Sequence, residues 1–136
     1  MFEQTALPLL ESLCKGFNAT LLAYGQTGSG KTHTICGDLV GDSQGIIPRV
    51  AQYLLDQLEK NKLDQVQFSV LEVYLGELYD LSSRTQNLAK LAIRERPNGE
   101  TFVQNLRTFS LVDFDDFVKR FQVRSVVILS RGETLT

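Results

Sequence analysis

The chain is poor in the residues that build cross-linked or metal-bound frameworks. It contains two cysteines and one histidine among 136 residues. Cys14 and Cys36 are far apart in the sequence and form no closely spaced pair of the kind that holds zinc. The sequence therefore predicts reduced thiols rather than a disulfide or zinc framework, which is typical of a cytosolic protein.

The chain also lacks long apolar runs and a strong charge of either sign. No stretch approaches the roughly 20 apolar residues of a membrane-spanning helix, and no basic region followed by a secretory apolar stretch opens the sequence. The formal net charge of −2 provides no basic field for nucleic acid. With 43% hydrophobic and 22% charged residues, the composition is that of a folded domain. We expect one cytoplasmic domain without a membrane or nucleic-acid partner.

The first third of the chain shows a helix, a strand and a second helix in its apolar pattern. Apolar residues at helical spacing from Phe2 to Leu13 predict a helix that ends at Gly16. Residues 19–24 form a nearly continuous apolar run, which predicts a strand covered on both faces. A second helix is expected to begin near Lys31, to break in the polar stretch 37–44 and to resume near Pro48.

The rest of the chain predicts more strands and one further helix. Alternating apolar residues indicate a strand over 66–74, and strands at 91–95 and 101–109 flank a turn at 96–99. Ser110 is the predicted cap of a third helix, whose apolar face runs to Phe121. Alternating helices and strands favour a layered α/β sheet with flanking helices.

One segment carries most of the chemistry. Residues 25–32 read Gly-Gln-Thr-Gly-Ser-Gly-Lys-Thr and match the phosphate-binding pattern G-x-x-x-x-G-K-S/T in full. Glycines let main-chain donors approach phosphates at the start of a helix, Lys31 can bring a positive charge to the phosphate oxygens, and the Thr32 hydroxyl can ligate magnesium. The alternative is a chance pattern in a surface turn. The predicted strand before the loop and the predicted helix after it argue against this alternative.

Around this loop the sequence resembles the kinesin motor domain. The resemblance begins with residues 16–34, which are similar to the kinesin signature around the ATP site, and extends from residue 1 to about 118. Further similar blocks follow in the family's order: Gly45-Ile46-Ile47-Pro48-Arg49, Leu71-Glu72-Val73-Tyr74, Glu77-Leu78-Tyr79-Asp80-Leu81 and Ile93-Arg94-Glu95.

The resemblance implies a P-loop NTPase fold that uses ATP and Mg²⁺, with microtubules as partner and the cytoskeleton as location. It implies that Thr32 ligates the metal and that His33 lies beside adenine, although a lone histidine just inside a helix is as often an ordinary exposed residue. The residues implied to hold the nucleotide phosphates are Gly25, Gln26, Thr27, Gly28, Ser29, Gly30, Lys31 and Thr32.

The chain also departs from the family. Kinesins carry an Asn-x-x-Ser-Ser-Arg-Ser-His switch and an Asp-Leu-Ala-Gly-Ser-Glu switch, and neither occurs here. Ser82-Ser83-Arg84 imitates part of the first switch at a different place, which indicates a solvated loop. Glu72 and Asp80 are acids that could substitute, but the resemblance places them elsewhere, so both are interpreted as structural. We assign no catalytic residue.

The divergent end of the chain bears on its function. Residues 119–136 no longer follow the family, so we expect an incomplete motor domain that results from truncation, alternative splicing or a faulty gene model. Two hypotheses stay open. The chain is the ATP-binding part of a microtubule motor, or it is a nucleotide-binding or interaction remnant without motor activity.

Overall fold

The computed structural model describes residues 1–82, 90–121 and 126–131. Within these ranges the chain forms four helices and six strands. The helices are α1 (Phe2–Cys14), α2 (Lys31–Ile35), α3 (Ile46–Glu59) and α4 (Phe114–Arg120). The strands are β1 (Val66–Tyr74), β2 (Glu77–Asp80), β3 (Lys90–Glu95), β4 (Thr101–Gln104), β5 (Phe109–Ser110) and β6 (Val126–Arg131).

The first helix ends as the sequence predicts. Gly16 follows α1 in the left-handed region, with φ at +94°. Its amide donates to the carbonyl of Leu13 at 2.9 Å, and the Phe17 amide donates to the carbonyl of Ser12 at 3.1 Å. These two bonds form the Schellman arrangement, which satisfies carbonyls that the last helical turn leaves without partners.

The core lies between α1, α3, α4 and one face of the sheet. The amphipathic helix α3 places Val50, Ala51 and Leu54 in it, and the Leu54 side chain is fully buried. From the sheet comes Phe68, whose ring meets that of Phe117 edge-on at a centroid distance of 5.2 Å. Burial of these large side chains, each worth about 1.5–3 kcal/mol, holds the helices against the sheet.

The sheet is antiparallel throughout its described strands and is built around β1. Its order is β4-β3-β2-β1-β5, and β6 also pairs with β1. Leu71 pairs with Asp80 of β2 and with Val126 of β6, so these two strands lie on opposite edges of β1. The predicted strand 66–74 is confirmed, as is the turn that joins β3 to β4. Neither β2 nor β6 was predicted.

The predicted buried strand at residues 19–24 is wrong. This segment has no regular structure, and Leu22 and Tyr24 are 84% and 96% exposed. A strand needs a neighbour to satisfy its main-chain donors and acceptors, and every described strand pairs within the sheet around β1 instead. The described architecture is a mixture of helices and an antiparallel sheet, and the expected layered sheet does not appear in it.

The predicted cap of the last helix lies three residues too early. Ser110 belongs to β5, whereas Asp113 precedes α4 with extended backbone angles and accepts a hydrogen bond from the Asp116 amide at 2.7 Å. The helix itself is confirmed. Its inner face buries Phe117, and Phe121 follows at the end of the helix with its ring 5.3 Å from that of Phe117.

We expect Asp113→Ala to lower the free energy of unfolding by about 0.5–2 kcal/mol, because the substitution removes the acceptor for an otherwise unpaired helix amide. Urea denaturation followed by circular dichroism measures this loss. Asp115→Ala is the matched control, since it removes the same charge from the same helical turn without removing the cap. Equal losses in the two variants would contradict the capping role.

Candidate nucleotide-binding site

The segment 25–32 forms an irregular loop that runs into α2. Its tightest part is a turn in which the Ser29 amide donates to the carbonyl of Gln26 at 3.2 Å. Gly28 and Gly30 have φ angles of +83° and +86°, in the left-handed region that disfavours side chains. A Cβ atom added at either position would meet no heavy atom within 4 Å. Open space therefore adjoins the backbone of the loop at these two glycines.

The start of the loop is packed differently from its middle. A Cβ atom at Gly25 would stand 2.5 Å from the hydroxyl oxygen of Ser29, which real side chains do not tolerate. The Ser29 side chain thus folds back over Gly25 and fills the space that a larger residue would need. A side chain at position 25 would have to displace the Ser29 hydroxyl, and the φ of +154° at Gly25 also disfavours any residue other than glycine.

Lys31 points its ammonium group back into the loop. Its Nζ atom donates to the carbonyl oxygens of Gly25 and Gln26, each at 2.6 Å, and lies 3.5 Å from the Ser29 hydroxyl. Within the described residues, Lys31 forms no ion pair with a carboxylate. The structure thus holds a positive charge inside the loop that no negative side chain among the described residues compensates.

Residues after the lysine are open to solvent. Thr32 and His33 are exposed on α2, and neither side chain makes a hydrogen bond within the described part of the chain. Gln26 and Thr27 are exposed as well. No group of three or more histidine, cysteine, aspartate or glutamate side chains suited to a metal occurs among the described residues.

A compact loop follows α2 and confirms the predicted break at 37–44. The Gly45 amide donates to the carbonyl of Cys36 at 3.0 Å, and the Asp38 amide donates to that of Ser43 at 3.0 Å. Cys36 is buried beneath this closure, and burial raises the pKa of its thiol. The thiolate is therefore scarcer at neutral pH than in a free cysteine, which suits a packing residue rather than a nucleophile.

The buried acid Asp80 has a structural task. One carboxylate oxygen accepts from the amide and the hydroxyl of Ser82, and the other accepts from the Arg107 amide at 3.0 Å. Asp80 thereby ties the end of β2 to the segment that precedes β5. Glu72 lies half-buried in β1 opposite Tyr79. These positions support the structural interpretation of both acids.

The bridge from Asp80 to Arg107 was not predicted. An aspartate two residues before a serine is a sequence signal for a local turn, but nothing in that signal identifies a distant partner. Of the triplet that imitates a switch, Ser83 and Arg84 lie outside the described residues. Of residues 119–136, which the sequence predicts to diverge, 126–131 form β6, and the remaining positions after 121 lie outside the described ranges.

Known proteins are similar to this chain over most of its length, including the loop 25–32. The family model of the kinesin motor domain matches residues 1–126. The chain belongs to the kinesin motor domain family. The kinesin-like protein KIN-14T of Arabidopsis thaliana is 38% identical over 123 residues, which cover 85% of this chain. Kinesin-like protein KIF28 of Mus musculus is 43% identical over 79% of the chain, and kinesin-like protein klp-20 of Caenorhabditis elegans is 41% identical over 78%.

This kinesin-family chain spans only a small part of its relatives. The matched region accounts for 14% of KIN-14T, 10% of mouse KIF28 and 17% of klp-20. No helix within the described ranges is long and apolar enough to cross a membrane. The matched region contains the loop 25–32, so the loop belongs to the part of the chain that the family shares.

Proposed function

We propose that this chain provides the ATP-binding part of a kinesin-type motor domain, whose parent protein couples ATP hydrolysis to movement along microtubules. The proposal assigns residues 25–32 to the P-loop class of nucleotide sites and His33 to the adenine side. It implies ATP and Mg²⁺ as cofactors, microtubules as partner and a location on the cytoskeleton.

The single observation that carries the proposal is the uncompensated Lys31 ammonium inside a glycine loop. Its present acceptors are the neutral carbonyls of Gly25 and Gln26. A phosphate oxygen carries negative charge, and charge-assisted hydrogen bonds are about twice as strong as neutral ones. The open backbone at Gly28 and Gly30 leaves room for such an oxygen to reach the lysine and the loop amides.

The residues present also fit a magnesium ion. The exposed Thr32 hydroxyl directly follows Lys31 and has no competing partner among the described side chains. Mg²⁺ keeps several waters and takes few protein ligands when it binds together with phosphates, so one hydroxyl at this position suffices. When bound, the metal neutralises phosphate charge, while Thr32 fixes its place relative to the loop.

The test is a calorimetric titration of the folded chain with ATP, with and without Mg²⁺. We expect Mg²⁺ to tighten ATP binding, and we expect Thr32→Ala to remove about tenfold of that gain because one metal ligand is lost. Thr34→Ala is the matched control, since it removes a threonine hydroxyl from the same helix. Failure of the wild-type chain to bind ATP would refute the proposed function. An equal loss in Thr32→Ala with and without metal would refute ligation only.

A second candidate function is nucleotide binding or protein interaction without motor activity. It is favoured by one observation, namely that the two kinesin switch sequences do not occur in residues 1–136. A motor part and a nucleotide-binding remnant both bind ATP through the same loop, so titration alone does not separate these two. Microtubule-stimulated hydrolysis by these residues would favour the motor.

A further inference from the structure

The turn between β3 and β4 contains Asn98, the one asparagine of the sequence that directly precedes a glycine. Asn98 and Gly99 are both exposed. Apart from its chain neighbours, a Cβ atom added at Gly99 would meet only the Glu95 carboxylate, at 4.0 Å. The turn therefore sets a side-chain amide beside a main-chain nitrogen that no side chain of its own residue shields.

The Asn98 side chain is folded over the peptide that follows it. Its Oδ1 atom accepts a hydrogen bond from the Glu100 amide at 3.1 Å. This bond closes an Asx turn, a ring that contains both the side-chain carbonyl carbon of Asn98 and the nitrogen of Gly99. A donor on Oδ1 also draws electron density from the side-chain carbonyl, which makes its carbon a better target for a nucleophile.

One contact of the turn opposes attack by the Gly99 nitrogen. The Gly99 amide donates to the carbonyl of Arg96 at 2.9 Å, and this bond has to open first. Residues 93–101 are all exposed, and among the described strands β4 pairs only with β3. The turn can therefore open locally without exposing core side chains.

We propose that Asn98 is a deamidation site of this chain, with water as the co-reactant. The Gly99 nitrogen bonds to the side-chain carbonyl carbon of Asn98, and its proton leaves with the side-chain nitrogen as ammonia, which gives a cyclic succinimide. Water then adds across one bond between a ring carbonyl carbon and the ring nitrogen and opens the ring. The product is aspartate or isoaspartate, and either adds a negative charge to a turn flanked by Glu95 and Glu100.

The test is ageing of the folded chain at neutral and at mildly alkaline pH, followed by isoelectric focusing and mass spectrometry of its peptides. An acidic form should accumulate, faster at the higher pH because the attacking nitrogen has to lose its proton. The mass increase of deamidation should lie at position 98. An isoaspartyl methyltransferase with a labelled methyl donor should label the aged chain and leave the fresh chain unlabelled.

Asn98→Gln is the matched variant, because glutamine keeps the amide while its longer side chain disfavours the same ring closure. This variant should lose the acidic form and keep the circular dichroism of the wild type. Asn61 and Asn105 are controls within the chain, since both are exposed and each precedes a residue with a side chain. Both should stay unmodified over the same time.

Three outcomes would overturn the proposal. They are an acidic form that persists in Asn98→Gln, conversion of Asn61 or Asn105 as fast as that of Asn98, and a folded chain without conversion at position 98 after the same chain in urea has converted. The chain in urea should convert faster than the folded chain, because it lacks the hydrogen bond from Gly99 to Arg96. None of these measurements includes nucleotide, so their outcome is independent of the proposed function.

Discussion

Replacing Lys31 by alanine is expected to weaken ATP binding by about 10- to 100-fold. Hydrogen bonds to charged groups contribute roughly 1.5–3 kcal/mol, which corresponds to that range of affinity. The ammonium donates to two neutral carbonyls at 2.6 Å, and the exchange of these contacts for phosphate oxygens is the gain in binding that alanine loses. Calorimetric titration with ATP and Mg²⁺ measures the change.

Two controls separate loss of charge at the site from general effects. Lys62→Ala removes an exposed lysine beyond the end of α3 and should leave ATP affinity unchanged. Thermal unfolding without nucleotide should show whether Lys31→Ala loosens the loop, since the two carbonyls of Gly25 and Gln26 lose their donor. Unchanged affinity for ATP in folded Lys31→Ala would rule out the role assigned to this residue.

Local signals account for the parts of the fold that the sequence predicts correctly. Gly16 ends α1 through hydrogen bonds that reach back only a few residues, and the apolar face of α3 repeats within the helix itself. The turn and helix at residues 25–35 likewise depend on the glycines and the lysine that occupy them. In each case the residues that determine the structure are near neighbours along the chain.

Two features of the fold were predicted incorrectly, one because its cause is non-local and one because its turn has an unusual sequence. The apolar run at 19–24 looks like a buried strand, but its burial depends on strands far away in sequence, and the described sheet is built elsewhere. The hairpin between β1 and β2 was missed because Leu75 and Gly76 form its two-residue turn with φ at +50° and +80°. Asparagine followed by glycine is the usual sequence of such a turn, so a leucine in the first position gives no signal that predicts it.

The candidate site also has one part that could be predicted from the sequence and another that could not. Its loop could be predicted from an eight-residue pattern because the glycines that allow its turns lie within that pattern. Two features of the site could not be predicted from the pattern and are seen only in the structure: the Ser29 hydroxyl lies against Gly25, and the Lys31 ammonium points into the loop. The structural role of Asp80 could not be predicted either, because its partner Arg107 is 27 positions away in the sequence.

A protein made of these 136 residues is expected to show no sustained ATP hydrolysis and no stimulation by microtubules. Phosphoryl transfer requires a group that orients the attacking water and charges that stabilise the transition state, in addition to the loop that holds the phosphates. The loss of a single preorganised donor costs about 10²–10³ in rate, and both switch sequences of the family are missing from residues 1–136.

Asp80, the buried acid among the described residues, is occupied elsewhere. Its carboxylate accepts from Ser82 and from the Arg107 amide and joins the end of β2 to the segment before β5, which is a structural task away from the loop 25–32. Phosphate release measured with and without microtubules, beside Lys31→Ala at equal concentration, tests the prediction. We expect the two proteins to release phosphate at the same background rate. Stimulation that Lys31→Ala abolishes would mean that residues within this chain supply the missing groups, and it would favour the motor over the remnant.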